Sequence, residues 1–124
     1  MSYTALLIED NEQNRYLATF LLEKGGYKVV SVSDGVAALP LARSLRPDII
    51  LLDIQLPLMS GHDVARLLRG EEGLRAVPII AVTSYAMPGD REKALAAGCD
   101  GYIEKPIDPD TFVAEVSKFL TSPR

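Results

Sequence analysis

Ile49-Ile50-Leu51-Leu52-Asp53 decides the fold of this chain. Four apolar residues in succession, entered from Pro47-Asp48, read as a short strand buried on both faces, the kind that parallel sheets contain. Three other runs have the same form. Leu6-Leu7-Ile8 leads into Glu9-Asp10, Ile79-Ile80-Ala81-Val82 into Thr83-Ser84, and Tyr102-Ile103-Glu104 into Lys105-Pro106. In a parallel sheet, functional groups gather outside the carboxyl ends of the strands. A carboxylate pair, a single carboxylate, a hydroxyl and a lysine are therefore expected on one edge. Three carboxylates in one place cannot all stay ionised without a cation, because like charges raise each other's pKa. Glu9, Asp10 and Asp53 are accordingly expected to form a metal site.

Helical signals fill the intervals between these runs. The first strand, about Ala5 to Glu9, is followed by a helix over Glu12 to Lys24 that Gly25-Gly26 stops. Lys28 to Val32 read as a second strand, and Ser33 or Asp34 can cap the next helix, whose apolar residues Ala38, Leu41, Ala42 and Leu45 recur at helical spacing. Pro40 falls inside it, where a proline costs about 3 kcal/mol, so this helix should start late or kink.

After the third strand, Val64, Leu67 and Leu68 mark a third helix, and a charged connection from Gly70 to Ala76 leads to a fourth strand from Pro78 to Thr83. Met87-Pro88-Gly89-Asp90 reads as a helix start. Ala94, Leu95 and Ala97 give that helix a small face, which buries little area and holds loosely. A fifth strand is expected over Gly101 to Lys105, and a last helix over Pro109 to Leu120 with Phe112, Val113, Val116, Phe119 and Leu120 facing inward.

Alternating strands and helices with short connections predict an α/β, doubly wound, five-stranded parallel sheet. The 124 residues form one domain's worth of chain, and no repeat or low-complexity segment stands out. With 48% hydrophobic and 24% charged residues, the composition is that of an ordinary globular protein. A formal net charge of −4, without a lysine or arginine run, argues against nucleic-acid or anionic-membrane partners. Cys99 is the only cysteine, which excludes an internal disulfide and reads as a small half-buried thiol. No apolar stretch approaches membrane-spanning length, and the start of the chain reads as a strand rather than a signal peptide, so a soluble, cytoplasmic protein is expected.

Taken in order, Ile8-Glu9-Asp10-Asn11, Asp53-Ile54-Gln55-Leu56-Pro57 with Ser60-Gly61, Val82-Thr83-Ser84 and Tyr102-Ile103-Glu104-Lys105-Pro106 closely resemble a response-regulator receiver domain of the CheY type. The likeness runs from Thr4 to Leu120, so residues 1–124 are expected to be a single receiver domain. It implies a flavodoxin-like (βα)5 fold with strand order 2-1-3-4-5.

The resemblance also assigns roles. Asp53 matches the phosphoacceptor, an aspartate nucleophile that becomes an acyl phosphate. Glu9, Asp10, Asp53 and the backbone carbonyl of Gln55 match the ligands of Mg²⁺, a cation suited to carboxylate, carbonyl and water oxygens. Glu9 is a methylene longer than aspartate and is expected to act through water. Lys105 matches the lysine that pairs with the phosphoryl group as a compact charge, beside an X–Pro bond that is cis in the family. Thr83 matches the switch hydroxyl, and Tyr102 the aromatic that turns inward as Thr83 vacates space. Gln55 sits where the side chain affects phosphoryl lifetime, and small Ser84 leaves the phosphoryl group room. His62 reads as a solvated helix-start residue in preference to a phosphohistidine relay, and Tyr16 and Phe20 can face either core or partner.

The expected function is that of a two-component phosphorelay regulator. A histidine kinase or histidine phosphotransfer protein donates to Asp53, in transfer and later hydrolysis that the domain itself helps catalyse. Donors are expected along the first helix, at Asn11, Asn14, Arg15 and Ala18. The output is expected to be contact with a downstream protein through the fourth helix, fifth strand and fifth helix, by a monomer with dimerisation left open. The opening Glu9-Asp10-Asn11, the 53–61 segment and Tyr85-Ala86-Met87 look most like stand-alone bacterial regulators, including DivK-type cell-cycle proteins. A receiver cut from a hybrid kinase would read the same way.

The alternative is a phosphorylation-independent interaction module, but such proteins usually lack an acidic, acceptor or lysine position. An aspartate-nucleophile phosphatase needs a second aspartate where Gln55 stands. A flavin protein would not place Glu9-Asp10 against a flavin phosphate.

Overall fold

The computed structural model of the protein describes residues 3–84 and 87–120. The apolar runs become five parallel strands: β1 (Thr4–Ile8), β2 (Lys28–Val32), β3 (Ile49–Asp53), β4 (Ile79–Thr83) and β5 (Gly101–Glu104). They lie in the order β2-β1-β3-β4-β5. All five residues of β3 and of β4 are buried, whereas edge strand β2 is only partly covered. That difference explains why the central runs are continuously apolar.

Five α-helices connect or follow the strands: α1 (Glu12–Lys24), α2 (Gly35–Leu45), α3 (Gly61–Gly70), α4 (Asp90–Ala96) and α5 (Phe112–Ser117). Alternate strand residues feed two cores. Leu6, Ile8, Ile50, Leu52, Ile79 and Ala81 pack beneath α2, α3 and α4. Ala5, Leu7, Ile49, Leu51, Ile80 and Val82 pack against α1 and α5. The chain leaves β1 in one direction to reach β2 and then works back across the sheet to β5. Right-handed crossovers therefore put the helix of the first step and those of the later steps on opposite faces. Register follows from the same arrangement: Ile8 stands beside Leu52, Asp53 beside Val82, and Thr83 beside Glu104. The four strand ends that carry chemistry finish level.

Local chemistry sets the helix limits. Asn11, Asp34 and Ser60 each accept a backbone N–H from three residues on, at 2.9, 2.9 and 3.3 Å. Asp34, rather than Ser33, is thus the cap of α2, and the helix does not start late. Pro40 lies within it on the exposed side. The carbonyl it leaves without a donor belongs to exposed Val36, where water can serve it.

The last helix begins at Phe112, three residues beyond Pro109. Asp108 turns the chain first: its side chain accepts the Asp110 N–H, and its carbonyl accepts those of Thr111 and Phe112. After Ser117 the helix tightens to a 3-10 turn over Lys118–Leu120. A second 3-10 turn, Glu72–Leu74, occupies the connection after α3. Helix α4 has the expected small face, burying Ala94 and leaving Leu95 exposed. Among the described residues no helix is long and apolar enough to cross a membrane.

At the edge opposite the strand ends, one side chain ties several segments together. The Arg69 guanidinium donates to the carbonyls of Leu74, Arg75, Val77 and Gly98, and to Asp100 Oδ2 at 2.8 Å. Asp100 Oδ2 also accepts the Ile79 N–H that begins β4. Arg69→Ala is expected to cost about 2–4 kcal/mol in urea unfolding, because partly buried acceptors lose their donor together. Arg69→Lys should recover less than half of it, since an ammonium cannot fork to separate carbonyls. An Arg69→Ala loss below 1 kcal/mol would show the network to be incidental.

Candidate functional site

The ends of β1, β3 and β5 each deliver a group to a common point. Glu9 leaves β1 buried, Asp53 closes β3 at 3% exposure, and Lys105 follows β5 with its ammonium drawn inward. Lys105 Nζ lies 2.8 Å from Glu9 Oε1 and 3.4 Å from Asp53 Oδ2. Asp10, exposed at the rim, brings a third carboxylate: one oxygen each from Glu9, Asp10 and Asp53 lie within 4.8 Å of one another. The Lys105–Pro106 peptide is cis.

The loop after β3 holds the acceptor candidate in place. The Gln55 N–H donates to Asp53 Oδ1 at 3.0 Å. Gly61 must be glycine here, because a Cβ would stand 2.6 Å from the Asp53 carbonyl oxygen. That close approach brings the start of α3 against the end of β3. Glu9 is fixed by its own neighbours, its Oε2 accepting the Asn11 N–H at 3.2 Å while its carbonyl accepts from Arg15 Nη1 at 3.1 Å. Both Glu9 carboxylate oxygens thus already have protein donors.

Thr83 is buried at the end of β4, where its Oγ1 accepts from Gln55 Nε2 at 2.6 Å. Gln55 Oε1 in turn accepts the Ser84 N–H at 3.3 Å. Beyond Thr83 lies a cavity of about 100 Å³ lined by Ile54, Gln55, His62, Thr83, Asp90 and Tyr102. The Tyr102 ring packs against the α2–α3–α4 core, and its enclosed hydroxyl has no hydrogen-bond partner among the described residues. Burial raises the pKa of that phenol, and Asp90, Glu104 and Glu92 raise it further.

The sequence expectations divide accordingly. Glu9, Asp10, Asp53 and Lys105 come together as one cluster, Thr83 and Gln55 adjoin it, and Tyr102 stands behind Thr83. His62 is half-buried in the cavity wall rather than solvated, and it is outside the acidic cluster. Ala18 is a correction: at 2% exposure it belongs to the core and cannot meet a partner. The outward face of α1 carries Glu12, Tyr16 and Phe20, with Tyr16 at 75% and Phe20 at 52% exposure. Helical spacing alone could not assign these because apolar residues occupy more than one side of α1. Cys99 is buried, and its thiol is pushed up to about 11 by burial and then by Asp100, with Arg69 pulling down. Of the Tyr85-Ala86-Met87 segment, Tyr85 and Ala86 lie outside the described residues, and Met87 is exposed.

Burial and the neighbouring Glu9 shift the titration of Asp53. Burial pushes the Asp53 carboxyl up to about 7, helped by its hydrogen bond to Glu9 and by the Glu9 charge; the Gln55 N–H and Lys105 pull the other way. The native state therefore holds a proton that the unfolded chain releases near 3.8, so this group lowers stability as pH rises from about 4 through about 7. In metal-free buffer, urea unfolding should show this fall, and Asp53→Asn should flatten it and be more stable at pH 8 by a few kcal/mol (order of magnitude). Parallel pH profiles for the two proteins would refute that shift.

Comparison with known proteins agrees with this geometry. The model of the response regulator receiver domain matches residues 5–117. The polar-differentiation response regulator DivK of Brucella anthropi is 43% identical over 120 residues, spanning 97% of this chain and 98% of that protein. Among solved structures, the receiver domain of a sensor histidine kinase from Pseudomonas aeruginosa PAO1, which has a magnesium ion coordinated in its active-site cleft, superimposes with a TM-score of 0.90 at 37% identity, covering 98% and 100% of the two chains. The chemotaxis response regulator CheY4 of Vibrio cholerae gives 0.91 at 26% identity over 96% and 99%. Sharing both the sequence pattern and the architecture over nearly its full length, the chain belongs to the response regulator receiver domain family.

Proposed function

We propose that the protein is a phosphorylation switch, with Asp53 accepting a phosphoryl group from a phosphohistidine of a histidine kinase or histidine phosphotransfer protein. The observation that carries this reading is a buried aspartate with an ammonium 3.4 Å away and two further carboxylates beside it. That combination suits transfer of a highly charged group and has no need of a separate general acid. A carboxylate oxygen of Asp53 attacks phosphorus, the P–O bond forms as the P–N bond breaks, and the imidazole leaves with the electron pair.

Positioning and charge do the catalytic work. The Gln55 N–H fixes the carboxylate rotamer through Oδ1. Lys105, already facing Asp53 Oδ2, meets the charge that develops on the phosphoryl oxygens. The three carboxylates fit a hard divalent cation: with Lys105 they leave a deficit of about two positive charges when ionised, and burial together with Glu9 already raises the Asp53 pKa. Glu9, Asp10, Asp53 and the Gln55 carbonyl would hold Mg²⁺, which supplies charge neutralisation when bound. With both Glu9 oxygens occupied, Asp10 and Asp53 offer the more direct ligation, and Glu9 acts through water.

Residues 4–120 then constitute one receiver domain working in the cytoplasm. Donors dock along the outward face of α1, where Tyr16 and Phe20 take the place expected of Ala18. Thr83 and Tyr102 carry the change to the α4–β5–α5 face, which a downstream protein reads as a population shift.

A small-molecule phosphodonor and Mg²⁺ test the chemistry without the kinase. Intact-mass spectrometry should show one hydroxylamine-labile phosphoryl group on the wild type and none on Asp53→Asn. Lys105→Ala should form it at least about 10²-fold more slowly, as expected when a charge-stabilising donor is removed. Full-yield labelling of Asp53→Asn would place the acceptor elsewhere.

A further inference from the structure

We propose that the Gln55 side chain is a latch that holds the end of β4 in its resting position and so sets how readily the protein switches. The inference rests on reading Asp53 as acceptor and Thr83 as switch hydroxyl, and gives Gln55 a positioning role between them.

Gln55 is the residue that touches both. Its backbone N–H binds Asp53 Oδ1 at 3.0 Å, while its side chain grips two consecutive residues of the facing strand end. The Ser84 N–H can only donate, so it selects the amide oxygen and leaves Nε2 to reach Thr83 Oγ1 at 2.6 Å. The longer bond to Ser84, 3.3 Å, serves orientation, and the shorter one to a buried hydroxyl supplies most of the hold.

A phosphoryl group on Asp53 adds three strong acceptor oxygens one strand away from this pair. Ser84 has a single backbone N–H, which cannot serve Gln55 Oε1 and a phosphoryl oxygen together. Thr83 can approach Asp53 only by drawing its hydroxyl away from the Gln55 amide. The cavity shared by Gln55, Thr83 and Tyr102 gives the released groups room to rearrange. Activation must therefore break the latch, and its strength is subtracted from the drive that modification supplies. One net hydrogen bond corresponds to a roughly 2- to 10-fold change in such an equilibrium.

NMR titration with beryllofluoride and Mg²⁺ tests this, with amide shifts at Thr83 and ring shifts at Tyr102 reporting the switch. Gln55→Ala and Gln55→Asn should both lower the activating midpoint by roughly 2- to 10-fold. Before any beryllofluoride is added, their resonances should lie part-way along the line joining the resting and activated wild-type positions. In a Thr83→Ala background the further change to Gln55→Ala should have a much smaller effect on midpoint and Tyr102 shift, since only the longer bond to Ser84 remains. Unchanged midpoints, shifts off that line, or equal effects with and without the Thr83 hydroxyl would overturn the latch. Failure of wild type to bind beryllofluoride at Asp53 would instead overturn the phosphorylation reading, and the latch with it.

Discussion

The buried ammonium of Lys105 between Glu9 and Asp53 is the interaction around which this edge of the molecule is organised. Taking three ionisable groups out of water is costly, and the attraction between them offsets that cost only when the geometry is held. Three separate strand ends supply the three groups, so the geometry depends on the register of β1, β3 and β5 and on the cores beneath them. A one-residue slip in β3 would send Asp53 to the opposite face of the sheet, because strand side chains alternate. Both cores use alternate residues of β3, Ile50 and Leu52 on one side and Ile49 and Leu51 on the other. With both faces apolar, the polar ends of the strand fix the register, Asp48 exposed at its start and Asp53 paired with Lys105 at its close. Packing and electrostatics are thus one constraint: the apolar layers hold the charges at spacings where one lysine can serve two carboxylates.

Those layers were the legible part. Central strands buried on both faces read as unbroken apolar runs, and their polar endings announce an edge where chemistry can collect. The order of the runs, with the resemblance they carry, gave the architecture and the acidic cluster. What stayed hidden depends on which way a side chain turns. Gln55 follows the strand end by two residues, and no local pattern says that its amide crosses to β4. Arg69, in the last turn of α3, carries no local signal of its role, because Gly98 and Asp100 lie about thirty residues further along the chain. Ala18 was misplaced because alanine serves equally well on a buried or exposed helix face. The start of α5 was misjudged because Pro109 is a good first-turn residue, yet the Asp108 side chain had already committed the backbone to a turn.

The two edges of the sheet are held by different means, and the contrast bears on where a signal can travel. At the far edge, Arg69 and Asp100 bind the end of α3, the start of β4 and the loop before β5 through charge-assisted bonds. At the chemical edge, the start of α4 has no side-chain cap on its first turn, follows Gly89 at a φ of +89°, and buries little beyond Ala94. Helix α4 is therefore fastened at one end and lightly held at the other. Local stability follows buried apolar contact and satisfied backbone, so the loosely held end yields first.

In the proposed switch a displacement of Thr83 would arise at that loosely held end, beside the cavity where Asp90 opens α4 and where the Tyr102 hydroxyl has no partner among the described residues. An enclosed hydroxyl with no hydrogen-bond partner raises the energy of the resting arrangement. The Gln55 bond to Thr83 opposes that tendency by keeping the strand end in place. The resting state is thus a balance between a phenol with no partner among the described residues on one side of Thr83 and a satisfied amide on the other. The proposed modification of Asp53 would act on the satisfied side. Because the far end of α4 is anchored through Gly98 and Asp100, the proposed switch would reorient its first turn and Tyr102 without separating the helix from the sheet.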